Sequence, residues 1–331
     1  MQILRKSFFK SFISSCLALL LTGLALTSHA QVKIGTSDWP GWVAWYIADQ
    51  KGYFKKHGAD VKLVWFANYS DSLTALSSGQ LDGNSQAWSD TMAPLAKGIP
   101  LKVILANDNS AGNDALMVSP KIKSFADLKG KKIALEEYSV SHFFLVTALA
   151  KHGMTAKDVN IVNLSAGDAA AAFMSGKVEA AVVWNPWVNK IELSGKGKPL
   201  FTSKDVPGLI ADLLVVQEKS LKANRKDYVG MLQAWFDVEK FIRENPQEAA
   251  VIMSKVVGLK PDEYKGYLAG TRFFDGGANT KAFGPATDPL SLQAVAPVIT
   301  KFLLENKLME GKVDAVKSLD GSVVQEAIAK K

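Results

Sequence analysis

Two stretches of the chain, about 97 residues apart, read alike and in the same order. V-K-I-G-T-S-D (Val32 to Asp38) is matched by K-K-I-A-L-E-E (Lys131 to Glu137). K-K-H-G (Lys55 to Gly58) is matched by A-K-H-G (Ala150 to Gly153), and A-L-S-S-G-Q-L-D-G (Ala75 to Gly83) by A-F-M-S-G-K-V-E-A (Ala172 to Ala180). A repeated order of this kind is one supersecondary unit used twice. Each copy predicts strand, helix, strand, helix, strand. The strands are Val32 to Gly35, Val61 to Phe66 and Leu81 to Ser85, then Lys132 to Leu135, Val159 to Leu164 and Val178 to Trp184. The helices are Trp42 to Lys51 and Ser70 to Ser78, then Ser141 to Lys151 and Asp168 to Ser175. They stop near glycines, the usual residue after a helix C-terminus. Two β-α-β-α-β units predict an α/β protein with two mainly parallel sheets joined by right-handed crossovers.

Open parallel sheets hold ligands beyond the carboxyl ends of their strands. Two lobes facing one another pool those ends into one cleft. The first strands lead to Ser37, Asp38 and Trp39, and to Glu136, Glu137, Tyr138 and Ser139. The third strands lead to Gln86, Trp88 and Asp90, and to Trp184, Asn185 and Trp187. Asp114 to Pro120 reads as the crossing into the second lobe and Ala211 to Gln217 as the return, which brings Asp212 to the cleft. The expected division is lobe one at 31–116 plus 212–331 and lobe two at 117–211. Helices expected over Asp227 to Arg243, Asn245 to Leu259 and Pro289 to Asn306 pack back on lobe one.

The first thirty residues stand apart. Arg5, Lys6 and Lys10 precede an apolar run and S-H-A before Gln31, the layout of a cleavable secretory signal over residues 1–30. The expected location is therefore periplasmic or otherwise extracytoplasmic. The net charge of +7 falls by three once those cations are set aside, and the remainder is dispersed, which argues against a nucleic-acid partner. Cys16, the one cysteine among 331 residues, falls in the same segment. The exported chain then has no thiol nucleophile and no disulfide. The histidines share no metal-ligand spacing, and no nucleophile-elbow or phosphate-loop motif occurs, so neither a cofactor nor catalysis is expected.

Each cleft residue has a plainer reading beside it. Asp38 ahead of Pro40 fits a helix N-cap as well as a ligand contact, and Asp90 ahead of Thr91 does the same. Glu136 and Glu137 point to opposite sides of an extended turn, so one faces the cleft. Alignment with Asp38 favours Glu137. Trp39, Trp88 and Trp184 are the first candidates for an aromatic cage, while Trp45, Trp65 and Trp235 read as core. His142 lies near the cleft. Arg272 is the one cation to watch, either in the cleft as a bidentate anion ligand or paired with Asp275.

Most of the mature chain, roughly 32 to 310, resembles the periplasmic substrate-binding proteins of ABC importers in the taurine, nitrate, aliphatic-sulfonate and thiamine-precursor group. The resemblance rests on A-D-Q-K-G-Y-F-K-K-H-G-A-D-V (Ala48 to Val61), L-S-S-G-Q-L-D-G (Leu76 to Gly83) and M-V-S-P-K-I-K-S-F-A-D-L-K-G-K-K-I-A (Met117 to Ala134). F-M-S-G-K-V-E-A-A-V-V-W-N-P-W (Phe173 to Trp187) and E-N-P-Q-E-A-A (Glu244 to Ala250) complete it. It implies a monomeric two-lobed clamshell delivering a small molecule to a permease with an ATPase subunit. Sulfonate and nitrate binders of the group carry small hydroxyl residues where this chain has E-E-Y-S-V-S. Carboxylates there repel an anion. Acids with tryptophan faces suit a planar nitrogenous cation or zwitterion, guanidinium or amidine first. The rivals are a sulfonate, taurine or nitrate binder using Arg272, Ser139 and Ser141, and a thiamine-precursor binding protein or enzyme on the same fold.

Overall fold

The structure, a computed structural model, describes residues 31–288 and 291–330. The expected secretory signal lies outside the described residues. Among the described residues eleven strands form two sheets. The first sheet takes β1 (Val32–Thr36), β2 (Val61–Trp65), β3 (Gly83–Ala87) and β4 (Leu101–Ser110). The second takes β5 (Asp114–Val118), β6 (Lys132–Leu135), β7 (Asn160–Asn163), β8 (Ala180–Trp184) and β9 (Lys198–Thr202). The chain then returns to the first with β10 (Ala211–Gln217) and β11 (Thr271–Phe273).

The strand orders expose the repeat. They run β2-β1-β3-β10-β4-β11 and β7-β6-β8-β5-β9. In each copy the first strand pairs in parallel with the second and third, and the crossing strand then joins antiparallel beside the third. The sheets are therefore mixed, where a mainly parallel arrangement was expected. The crossing segments arrive from the opposite lobe running the other way, and β4 and β9 extend the sheets antiparallel to them. β5 lies wholly in the second sheet. The chain thus passes between sheets at residues 111–113 and returns over 203–210, just before each of the two segments read as crossings.

Side-chain alternation explains why both faces of each sheet are covered. On β10, Leu214 and Val216 join the cluster of Ile34, Trp45, Tyr228 and Trp235, beneath helices Arg225–Glu244 and Pro246–Val256. Leu213 and Val215 face the other way, into a cluster with Met92, Leu292, Ile299 and Leu303 from helices Trp88–Ala96 and Leu292–Glu305. On β5, Leu116 and Val118 face one cluster and Ala115 and Met117 the other. Trp45 and Trp235 are core as expected, their rings 4.7 Å apart. Trp65 is not: it remains 39% exposed on the edge strand β2, where no further strand covers it. Among the described residues no helix is long and apolar enough to cross a membrane.

Candidate functional site

The carboxyl ends of the two sheets meet, and hydrogen bonds cross between them. Asp38, two residues past β1, accepts from Trp184 Nε1 at the end of β8 (2.9 Å) and from Trp187 Nε1 on helix Trp187–Leu193 (2.8 Å). Both of its oxygens are thereby used. It caps nothing: the residue at the cap of helix Pro40–Val43 is Trp39, with no side-chain cap bond. Asp90 makes a second bridge. Its Oδ2 accepts from Tyr69 Oη (2.7 Å) and from the Val140 N–H of the second lobe (3.1 Å), and its Oδ1 from Ser89 Oγ (3.0 Å). Phe143 on the same second-lobe helix packs edge-on against Phe302 of the first.

Between these bridges lies a pocket lined by Trp39, Trp42, Tyr69, Asp114, Val140, Trp184, Ile210 and Asp212. Its cavity of about 10 Å³ has room for about one water and is far below the ~300–1,000 Å³ of sites for drug-sized ligands. The aromatic wall is continuous. Ring centres are 6.3 Å apart for Trp39–Trp42, 4.9 Å for Trp42–Tyr69 and 5.9 Å, edge-on, for Tyr69–Trp184.

Asp114 and Asp212 are equivalent in the repeat. Each stands near the start of a crossing strand, opposite the last residue of its neighbour: Asp114 faces Trp184 and Asp212 faces Ala87. Asp212 is also in register with Asp108 across β10 and β4, and the two carboxyls are within hydrogen-bonding reach. Two carboxylates so placed share a proton, because both cannot ionise cheaply in a buried site. Trp39 Nε1 donates to Asp108 Oδ1 (3.0 Å). One oxygen of Asp114 is buried with no hydrogen-bond partner, and one each of Asp108 and Asp212 is buried with no donor beyond that shared proton. Burial raises every carboxyl here above its ordinary range: Asp90 to about 6 and Asp114 to about 7. Asp108 and Asp212 are pushed up as well, by burial first, Asp212 then by the Asp108 charge.

Gly41 explains how Asp108 fits. A Cβ on Gly41 would stand 1.8 Å from Asp108 Oδ2. Gly41→Ala is therefore expected to push Asp108 out of place at a cost of ~1–3 kcal/mol, as overpacking does. A urea-unfolding midpoint equal to wild type would refute that contact.

Other predicted residues fall around this pocket or away from it. Glu136, not Glu137, turns inward. Glu136 is buried, both its oxygens lack hydrogen bonds, and burial, then the Asp38 and Asp90 charges, push it to about 8. Glu137 is half-buried, its N–H held by Asn163 Oδ1. Trp88 belongs to the core with Leu76, Met92 and Leu213, one residue past the end of β3. Gln86 is spent on Thr91 Oγ1. Ser139 caps helix Val140–Lys151 and bonds the Glu136 carbonyl, and Ser37 is buried with its hydroxyl unpartnered. Tyr138 is 68% exposed at a φ of 60°, its N–H donating to His142 Nδ1. Burial lowers His142 to about 4, which keeps the ring neutral. Asn185 bonds Asn113 Oδ1. Arg272 is exposed on edge strand β11, and Asp275 caps helix Gly276–Ala282 instead of pairing with it. Trp42 was expected near a cleft loop though not as a first cage candidate, and Tyr69, Asp108 and Asp114 were not predicted.

Two mixed sheets with a small enclosed pocket at their apposed strand ends define the fold of the periplasmic solute-binding proteins. It is shared, at a TM-score of 0.74 and 20% identity over 88% of this chain and 98% of the other, with the alkanesulfonate-binding protein SsuA from Xanthomonas axonopodis pv. citri. The chain belongs to the NMT1/THI5-like family, whose profile matches residues 39–249. It is 29% identical over 266 residues to a putative binding protein of Brucella abortus, covering 77% of this chain and 80% of that one. It is also 25% identical over 248 residues to a putative aliphatic sulfonates-binding protein of Escherichia coli, covering 74% and 77%.

Proposed function

We propose that this is the extracytoplasmic solute-binding protein of an ABC importer, and that its ligand is a small planar nitrogenous cation of the guanidinium or amidine type. The two sheets are then the lobes of a clamshell, and the ligand sits between them in this pocket, which widens from about 10 Å³ to admit it. One observation carries the choice of ligand. The pocket joins aromatic faces to Asp114, with a buried oxygen that has no partner, and to Asp212, which has only the proton it shares with Asp108. A buried carboxylate without a partner is costly. A guanidinium-type cation offers several N–H donors in one plane to satisfy such oxygens, while its face stacks on indole.

The relatives' names point to aliphatic sulfonates, which are anions. A sulfonate in this pocket would meet carboxylates. Among the described residues no lysine or arginine lines it, and Arg272 is exposed elsewhere.

Thermal shift followed by isothermal titration tests the reading. Low-millimolar guanidinium or methylguanidinium, far below denaturing levels, is expected to raise the melting temperature by 5 °C or more. A ligand at ~100-fold its dissociation constant adds ~2.7 kcal/mol, and a chain of this size gains about 2–4 °C per kcal/mol. Stabilisation by taurine or an alkanesulfonate at matched ionic strength, with none from the cations, would reverse the assignment.

A further inference from the structure

Asp38 was a leading ligand candidate in the sequence, yet its carboxylate is fully committed to two indoles of the opposite lobe. Both donors are held ready on their own lobe. Trp184 ends β8, with its ring edge-on to Tyr69. The Trp187 ring lies between Lys190, whose Nζ is 4.0 Å from the ring centre, and Gly167, where an added Cβ would come within 3.1 Å of the indole. Gly167 thus lets helix Ala166–Met174 lie flat against the ring. A carboxylate accepting two N–H bonds in a site partly shielded from water is a strong, directional contact. It can form only when the lobes meet.

We propose that Asp38 is a positioning residue and the closure latch of the clamshell: it clamps Trp184 and Trp187 across the cleft, fixes the Trp184 wall of the pocket, and does not touch the ligand. The latch acts whatever the ligand's chemistry, so it goes beyond the functional reading above. Opening must break both indole bonds together. The latch therefore sets how long a ligand stays, and leaves its rate of entry into the open form alone.

The test uses spin labels at Lys62→Cys and Lys157→Cys, both exposed and one on each lobe, in a Cys16→Ser background. Double electron–electron resonance reads the interlobe distance with and without millimolar guanidinium chloride. Asp38→Asn keeps the size of the side chain, but its amide nitrogen cannot accept from an indole. The variant is expected to deplete the short-distance population about tenfold and to raise the guanidinium off-rate about tenfold, with the on-rate unchanged. Trp187→Phe moves both in the same direction by less, and adds under twofold when combined with Asp38→Asn. A merely structural role would lower the melting temperature and leave the distances alone. Wild-type distances and off-rate in Asp38→Asn overturn the latch. If guanidinium has no effect on wild type, the ligand reading fails by itself. The ligand-free distance distributions then decide, and a short-distance population absent from wild type or retained in Asp38→Asn overturns the latch. If Asp38→Asn does not fold, Trp184→Phe with Trp187→Phe removes the same two bonds, and because Trp184 also lines the pocket it is read by the ligand-free distances alone: a retained short-distance population overturns the latch.

Discussion

Asp114→Asn is expected to make the ligand-free protein more stable at pH 8 and to make it bind its ligand far more weakly. The two effects have one cause. Asp114 is buried, and burial pushes its carboxyl to about 7. That is about three units above a free aspartate, which at ~1.36 kcal/mol per unit leaves the folded state ~4 kcal/mol worse off once the pH exceeds 7. An amide removes that ionisation. It buries an NH2 group that needs partners, at ~1–3 kcal/mol, so a net gain of about 1–3 kcal/mol remains at pH 8. At pH 5 only about one unit of the difference has accumulated, and the gain should vanish. Binding moves the other way. Truncating one member of a buried, hydrogen-bonded charge pair costs ~2–5 kcal/mol, at least about 30-fold in affinity. Urea unfolding at both pH values and titration with guanidinium check the pair of effects. Unchanged affinity would remove Asp114 from the site, and equal stability at pH 8 would contradict its buried charge. Asp212→Asn should lose binding similarly, but its coupling to Asp108 makes its stability change the smaller guide.

The opposed behaviour of Asp114 also shows what the sequence could and could not reveal. The repeat made the strand-helix alternation readable, and with it the strand ends that carry Asp38, Trp39, Glu136 and Trp184. It did not reveal partners. Asp38 looks like a helix cap or a ligand contact from its neighbours in the chain, and only the meeting of the lobes, 146 and 149 residues away in sequence, assigns it to two indoles. Trp88 failed through a slip of two residues in β3, expected at Leu81 to Ser85 and found at Gly83–Ala87. The position matching Trp184 at its strand end is Ala87, and Trp88, one step on, turns into the core. Tyr69 follows the second strand, and only the ends of first and third strands had been considered. Asp108 and Asp114 sit in the polar run A-N-D-N-S-A-G-N-D (Ala106 to Asp114) that ends an apolar strand. That run was a usable signal, since a sheet interior gives way to carboxylates and amides only where something polar must be met. Asp114 itself had been read as the first residue of a crossing. Its equivalence to Asp212, both opposite a strand end, becomes visible only with the pairing register.

The strongest expected dependence is on pH, and stability and affinity should run in opposite directions. Burial raises Asp90 to about 6, and burial with repulsion from neighbouring carboxylates raises Asp114 to about 7 and Glu136 to about 8. Between about pH 4, where these acids ionise in the unfolded chain, and their raised folded values, the native protein holds protons that the unfolded chain has released. Stability therefore falls as pH rises through that window and levels off above about 8. For the ligand-free protein, urea midpoints should decline steadily from pH 5 to pH 8. A cation in the pocket favours the ionised carboxylates, so binding expels protons. Affinity for guanidinium should then rise over the same range, by up to about tenfold per pH unit for each proton released. Titrations in buffers of different ionisation enthalpy would count those protons directly. With saturating ligand the decline in stability is offset, so the curves with and without ligand should diverge as pH increases. An anionic ligand predicts the reverse: it would bind best to protonated acids, take up protons, and weaken toward pH 8. Proton uptake on binding, or affinity that falls with pH, would place an anion in this pocket and leave Asp114 and Asp212 to meet it as neutral acids.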